Sequence, residues 1–179
     1  MPLNHLSYPS YFGPFVRAKG KHVFDSVNTQ YLDFGLGSGS QIFGHSSSKI
    51  NDCSKAMLEN GNVFCAPSVS AENFSKSLSA KLNYVLRHHV LCSSGTEATQ
   101  RAVRFARQFT RRKSIISFYG GWHGINEWTL SSDSGSRMNT SVECLTGIPD
   151  DLNQFKIHLQ PHDTSNLEKI LSKNKDIAA

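Results

Sequence analysis

No stretch of this 179-residue chain approaches the roughly 20 consecutive apolar residues that a membrane-spanning helix needs. The start, Met1 to Arg17, lacks a charged segment followed by a long apolar run, so no secretory signal is read there. A soluble, cytoplasmic protein with no membrane partner is the expectation. Cysteine is scarce: Cys53, Cys65, Cys92 and Cys144 have neither CxxC spacing nor the density of a disulfide framework, so reduced thiols are the default. His158 and His162 stand close in sequence, but Pro161 between them breaks the helical face they would need to share, and no metal site is expected. Nucleotide motifs fail in detail. Gly39 to Gly44 has P-loop spacing but is followed by His45-Ser46 in place of Lys-Ser/Thr, and Gly35-Leu36-Gly37-Ser38-Gly39 lacks the third glycine of a dinucleotide fingerprint. The formal net charge of +5 raises nucleic-acid binding through Arg101, Arg104, Arg107, Arg111, Arg112 and Lys113. No helix-turn-helix pattern, zinc-knuckle spacing or interleaved aromatic accompanies them, so a solvated helix face is the simpler reading and no nucleic-acid partner is expected.

What the chain does have is a run from His89 to Gly124 that reads as strand, turn, helix, strand and aromatic loop. Leu86 to Cys92, preceded by Val85 and containing Val90 and Leu91, has the apolar lean of a buried strand. Ser93-Ser94-Gly95-Thr96 ends it. Serine is a preferred N-cap, Gly95 lets backbone approach a ligand, and Glu97 follows Ser94 at capping-box spacing. In the helix that follows, Ala98, Ala102, Phe105, Ala106 and Phe109 make an apolar stripe, with Arg101, Arg104, Arg107 and Arg111 on the other face. Ser114 to Phe118 reads as the second strand, and Gly120-Gly121-Trp122-His123-Gly124 falls at its end, where α/β folds gather ligand-binding loops. Free N–H groups at such a helix start, with the hydroxyls of Ser94 and Thr96, suit a phosphate. An ordinary capped helix without a ligand accounts for the local pattern as well.

Residues 1–61 are read as the N-terminal segment of a small domain, with a β-hairpin from Phe15 to Phe34, a Gly/Ser-rich connection through Ser40 and a helix near Ser47 to Glu59. Asn28 in the hairpin turn can take a left-handed conformation. Residues 62–179 are read as the first part of a larger domain. It has a helix from Val69 to Leu82, a mobile Ser/Gly/Asn-rich loop over Ser131 to Ser141, a strand from Phe155 to Leu159 and a last helix opened by Thr164. Lys113 and Lys156, at element margins, are read as solvated.

Taken together, SSGTEAT, the arginine-bearing helix, the strand and FYGGWHG resemble class III aminotransferases of the fold-type I pyridoxal-phosphate enzymes, most of all their glutamate-1-semialdehyde aminomutase branch. Val23-Phe24-Asp25 and Tyr31-Leu32-Asp33-Phe34 resemble the family's N-terminal hairpin, and Gly44-His45 its GH(x)P segment. The resemblance implies an α/β fold, the N-terminal portion of a fold-type I transferase, in which a three-layer α/β/α large domain is preceded by a small-domain β-hairpin segment. It also implies amino-group transfer through a Schiff base, pyridoxal 5'-phosphate as cofactor, and an amino acid or amino-sugar/keto substrate. Carried over by motif, Ser94, Gly95 and Thr96 would hold the phosphate. Trp122 would stack on the pyridine ring where relatives usually have Tyr or Phe, and His123 would sit beside it. A core or rim aromatic and a loop-stabilising histidine are the plainer roles for those two.

The family's Schiff-base lysine and pyridine-nitrogen aspartate would lie beyond Ala179, so no catalytic residue is assigned and residues 1–179 alone are expected to be inactive or very slow. The implied assembly is a homodimer or a complex with a complementing C-terminal chain, and exposed apolar surface is expected on the part in hand. A non-catalytic partner in dimerisation or regulation is the alternative. Gly37-Ser38-Gly39-Ser40 replaces the Ser-Trp-Gly-Pro of the aminomutase branch, and Tyr119 its Glu, which leaves the substrate open.

Overall fold

The computed structural model describes residues 14–119, 121–129 and 149–179. The chain divides into two compact units, residues 1–68 and 69–179. In the first, Phe15–Lys19 (β1), His22–Asp25 (β2) and Gln30–Leu32 (β3) form an antiparallel sheet in that order. The β2–β3 turn is built around Asp25. Its Oδ1 accepts the N–H of Val27 and Thr29 at 3.0 and 2.8 Å, and its Oδ2 accepts the Tyr31 hydroxyl at 3.0 Å. Burial would raise the Asp25 pKa, but these donors outweigh it and hold the carboxyl below its ordinary range. Asn28 takes the left-handed conformation, at φ 66°.

Ser48–Glu59 (α1) follows. Gly44, at φ 76°, brings His45 against Gly20 with reciprocal backbone bonds of 2.8 Å, and a Cβ there would lie 2.9 Å from the Gly20 carbonyl oxygen. Asp33 Oδ2 meets His45 Nε2 at 2.7 Å, while its Oδ1 accepts the N–H of Gly35 and Leu36 at 2.8 and 3.0 Å. One carboxylate therefore ties the turn after β3 to the segment that leads into α1.

The second unit contains Val69–Lys81 (α2), Gly95–Thr110 (α3), Ile115–Phe118 (β4), Asp150–Asn153 (α4), Lys156–Leu159 (β5) and Thr164–Lys173 (α5). β4 and β5 pair in parallel, from Ile115 opposite Lys156 to Phe118 opposite Leu159. The other edge of β4 is occupied too: Ser114 and Ile116 donate to the carbonyls of Asp176 and Ala179, each at 2.8 Å. Val103, Ile115, Leu159 and Ile177 are the buried hydrophobic side chains among the described residues. Parallel pairing with helices between the strands is the α/β arrangement expected.

Three expectations are corrected. Leu86 to Cys92 is not a strand: among the described residues nothing lies beside it to complete a ladder, and a strand without a neighbour leaves its backbone groups unpaired. Leu86, Val90 and Leu91 stay more than half exposed. The apolar stripe of α3, Ala106 apart, is not its packing face. Thr96, Thr99, Val103, Ala106 and Arg107 are the covered side, whereas Ala98, Ala102, Phe105 and Phe109 face solvent, Phe109 at 91% exposure. Lys156 is half-buried, not solvated; burial lowers its pKa, with Glu127 acting in the opposite sense. The loop read over Ser131 to Ser141 lies outside the described residues.

Candidate cofactor site

α3 is capped by Ser94, in extended backbone, whose Oγ accepts the Glu97 N–H at 3.1 Å. Glu97 returns the favour one residue early. Its Oε2 accepts the N–H of Ser93 at 2.9 Å, and Arg101 grips Oε1 at 2.9 and 2.6 Å. The Ser93 N–H first, then Arg101, hold the Glu97 carboxyl below its ordinary pKa. With the Glu97 N–H satisfied by the cap, the N–H groups of Gly95 and Thr96 remain as free helix-start donors among the described residues. Apart from its chain neighbours and the backbone of its own helix turn, no atom lies within 4 Å of where a Gly95 Cβ would stand. Open donors at a positive helix end fit an anion. The Ser94 hydroxyl, its oxygen engaged in the cap, still has its own hydrogen to offer.

The loop after β4 is fastened to this same turn. Thr96 Oγ1 accepts the Ile125 N–H at 3.2 Å, and Asn126 Nδ2 donates to Thr99 Oγ1 at 3.0 Å. Gly124, at φ 93°, marks where the loop crosses the helix: a Cβ there would stand 2.8 Å from Thr96 Cα, so only glycine permits the approach. Farther along α3, Arg107 stacks on the Trp128 ring, 3.7 Å from its centroid, and donates from Nε to the Lys113 carbonyl at 2.8 Å. Arg107 thus leaves the solvated face assigned to it from sequence. Burial lowers its pKa, and Asp176 opposes that shift.

Trp122 is 75% exposed and presents an open indole. His123 folds back over Gly121, with its Nε2 buried and lacking a hydrogen-bond partner among the described residues. The five residues read from sequence therefore fall into two segments, Ser94 to Thr96 and Trp122 to His123, which Thr96 and Ile125 join. Two free N–H groups, two hydroxyls and an exposed indole fit a phosphorylated planar ring such as pyridoxal 5'-phosphate. Thr99, Asn126 and Trp128 escaped the sequence reading, and Arg107 entered it only as a solvated arginine. The one signal for them was the Thr96, Thr99, Val103 spacing, a second helical face half hidden by its polar residues. Among the described residues no group of three His, Cys, Asp or Glu could hold a metal ion, and no helix is long and apolar enough to cross a membrane.

A parallel α/β unit in which the loop after a strand is fastened to the start of the preceding helix is the class defined here. Residues 7–179 match the model of the family described as Aminotransferase class-III, and the chain belongs to that family. It is 28% identical over 172 residues to the glutamate-1-semialdehyde 2,1-aminomutase of Nitrosopumilus maritimus, covering 94% of this chain and 40% of that protein. The enzyme of the same name from Methanosphaera stadtmanae is 32% identical over 160 residues, covering 89% and 37%. Among solved structures, a transaminase with pyridoxal phosphate bound superposes with a TM-score of 0.82 at 28% identity, over 96% of this chain and 41% of that one. The chain thus spans about two-fifths of the length of the curated relatives it matches. Its fold is the N-terminal α/β portion of a fold-type I pyridoxal-phosphate transaminase.

Proposed function

We propose that this chain is the cofactor-anchoring N-terminal part of a pyridoxal-phosphate-dependent class III aminotransferase or glutamate-1-semialdehyde-type aminomutase. The observation that carries this reading is the joining of the α3 start to the Trp122 loop through Thr96 and Ile125. When bound, the cofactor supplies an electron sink for bonds at an amino-bearing carbon. The N–H groups of Gly95 and Thr96, with the Ser94 and Thr96 hydroxyls, hold its phosphate. Trp122 holds the ring face and His123 stands beside it. Orientation is this chain's contribution, because the angle between the labile bond and the ring decides which bond reacts. The lysine and the pyridine-nitrogen carboxylate come from a complementing C-terminal segment outside residues 1–179, the assembly is a homodimer or a complex with that segment, and the substrate is an amino acid or an amino-sugar/keto compound. A cytoplasmic setting fits this chemistry.

The solvent-facing Phe105 and Phe109 support a covering partner of that kind, and equally a second reading in which the chain serves as a non-catalytic dimerisation or regulatory subunit. Titration with pyridoxal 5'-phosphate, followed by tryptophan quenching, separates the two. Saturable quenching that inorganic phosphate competes away, and that Trp122→Ala abolishes, is the result expected of a cofactor-anchoring chain. Absence of quenching even with the complementing chain present leaves the non-catalytic reading.

A further inference from the structure

Trp122 can orient a ring only if its loop keeps a fixed place relative to Gly95 and Thr96. We infer that Thr99 and Asn126 are the positioning pair that fixes this place, an inference that rests on the cofactor reading above. Neither residue belongs to the phosphate or ring contacts. Asn126 is buried and uses both ends of its amide. Nδ2 donates to Thr99 Oγ1 at 3.0 Å, with the Thr96 carbonyl at 3.4 Å, and Oδ1 accepts the N–H groups of Trp128 and Thr129 at 3.2 and 3.1 Å. Thr99 turns its single hydroxyl hydrogen toward the carbonyls of Gly95 and Thr96, each at 3.1 Å, which leaves a lone pair for Asn126.

The Thr96–Ile125 bond alone would let the loop pivot about one point. A second attachment one helical turn away removes that freedom. Because Asn126 is buried, releasing either end of its amide costs the desolvation of an unpaired group, so the linkage is stiff. Gly124 packed on Thr96 leaves no slack between the two attachments. Thr99 and Asn126 therefore convert a helix start and a neighbouring loop into one rigid cradle, in which the phosphate position dictates where the ring meets Trp122.

The test uses the full chain, with inorganic phosphate and pyridoxal 5'-phosphate as separate probes, and compares Thr99→Val, which keeps shape without the hydroxyl, with Thr99→Ser. In Thr99→Val the amides of Ile125, Trp128 and Thr129 should exchange about tenfold faster, while those of the α3 interior keep their rates. Its dissociation constant for pyridoxal 5'-phosphate should rise about tenfold, the worth of one hydrogen bond, with that for inorganic phosphate changing by less than about twofold. Thr99→Ser should restore both readouts. Unchanged loop exchange overturns the inference directly, and so does equal weakening of the two probes, which would place the damage at the helix start itself. If the unsubstituted chain binds no pyridoxal 5'-phosphate while its loop amides are still protected through Thr99, the cofactor reading fails instead and takes the positioning role with it.

Discussion

Thr96 and Ile125 are joined across 29 positions of sequence, the threonine Oγ1 accepting the isoleucine N–H at 3.2 Å. A hydroxyl that accepts from the loop still has its own hydrogen to donate, so Thr96 can anchor the loop and an anion at once. The loop bond accounts for a polar residue on this face of α3, because leucine or alanine would leave the Ile125 N–H without its acceptor.

Thr96→Ala should remove a donor to a dianionic group and weaken pyridoxal 5'-phosphate binding by about 1.5–3 kcal/mol, the range for hydrogen bonds to charged groups. Trp122→Ala should also weaken it through lost stacking, whereas Arg104→Ala, at an exposed position on the face of α3 away from the loop, should leave it unchanged. Dissociation constants for the three variants, measured in the reconstituted enzyme, check this. Equal and negligible effects at Thr96 and Trp122 would show that the cofactor binds elsewhere.

Arg107 gives a sharper contrast within one helix. Its guanidinium carbon stands 3.7 Å from the Trp128 ring centroid and its Nε–H reaches the Lys113 carbonyl, two contacts made at once by one forked group. Arg107→Lys keeps the charge but neither geometry, and should cost about 1–2 kcal/mol of stability, with Arg107→Ala no milder. Arg104→Ala should stay within about 0.5 kcal/mol. Denaturant midpoints decide it, and equal midpoints for Arg107→Lys and the parent chain would mean the stacking carries no weight.

The turn chemistry was legible in the sequence because it is local. Ser94 before Glu97 and Asn28 in a tight turn each act over a few residues, and the structure uses both. The packing was less legible. Apolar positions at helical spacing along α3 point to Phe105 and Phe109, yet burial is decided by what stands opposite, and opposite Thr96, Thr99 and Arg107 stands the loop. Leu86 to Cys92 fails for the same reason: its composition suits a strand, but a strand is a relation between two segments, and the described residues hold only one of them.

Phe109 should therefore drive association. At 91% exposure it adds little to the fold, so Phe109→Lys should change stability by no more than about 0.5 kcal/mol while shifting the chain toward monomer. Sedimentation velocity over a concentration series measures the shift. Unaltered self-association in the lysine variant would move the sticky surface away from α3.

Asp33 makes acid stability a local readout. The His45 contact first, and then the Leu36 N–H, hold its pKa below the ordinary 3.8. A carboxyl with a depressed folded value binds fewer protons folded than unfolded, so stability rises with pH through that window. Its contribution is fully present above the ordinary value and is lost as the pH falls from there through the depressed one. Asp33→Asn abolishes this titration. Amide protection at Gly35 and Leu36, whose N–H groups end on Asp33 Oδ1, should fall as the parent chain is acidified below about pH 4 and be low but flat in the variant. Asp25, also depressed, keeps its own slope in both proteins, so the difference between the two profiles isolates Asp33. Parallel profiles would mean that the Asp33–His45 contact at 2.7 Å contributes nothing through charge and that the clasp is held by its backbone bonds alone.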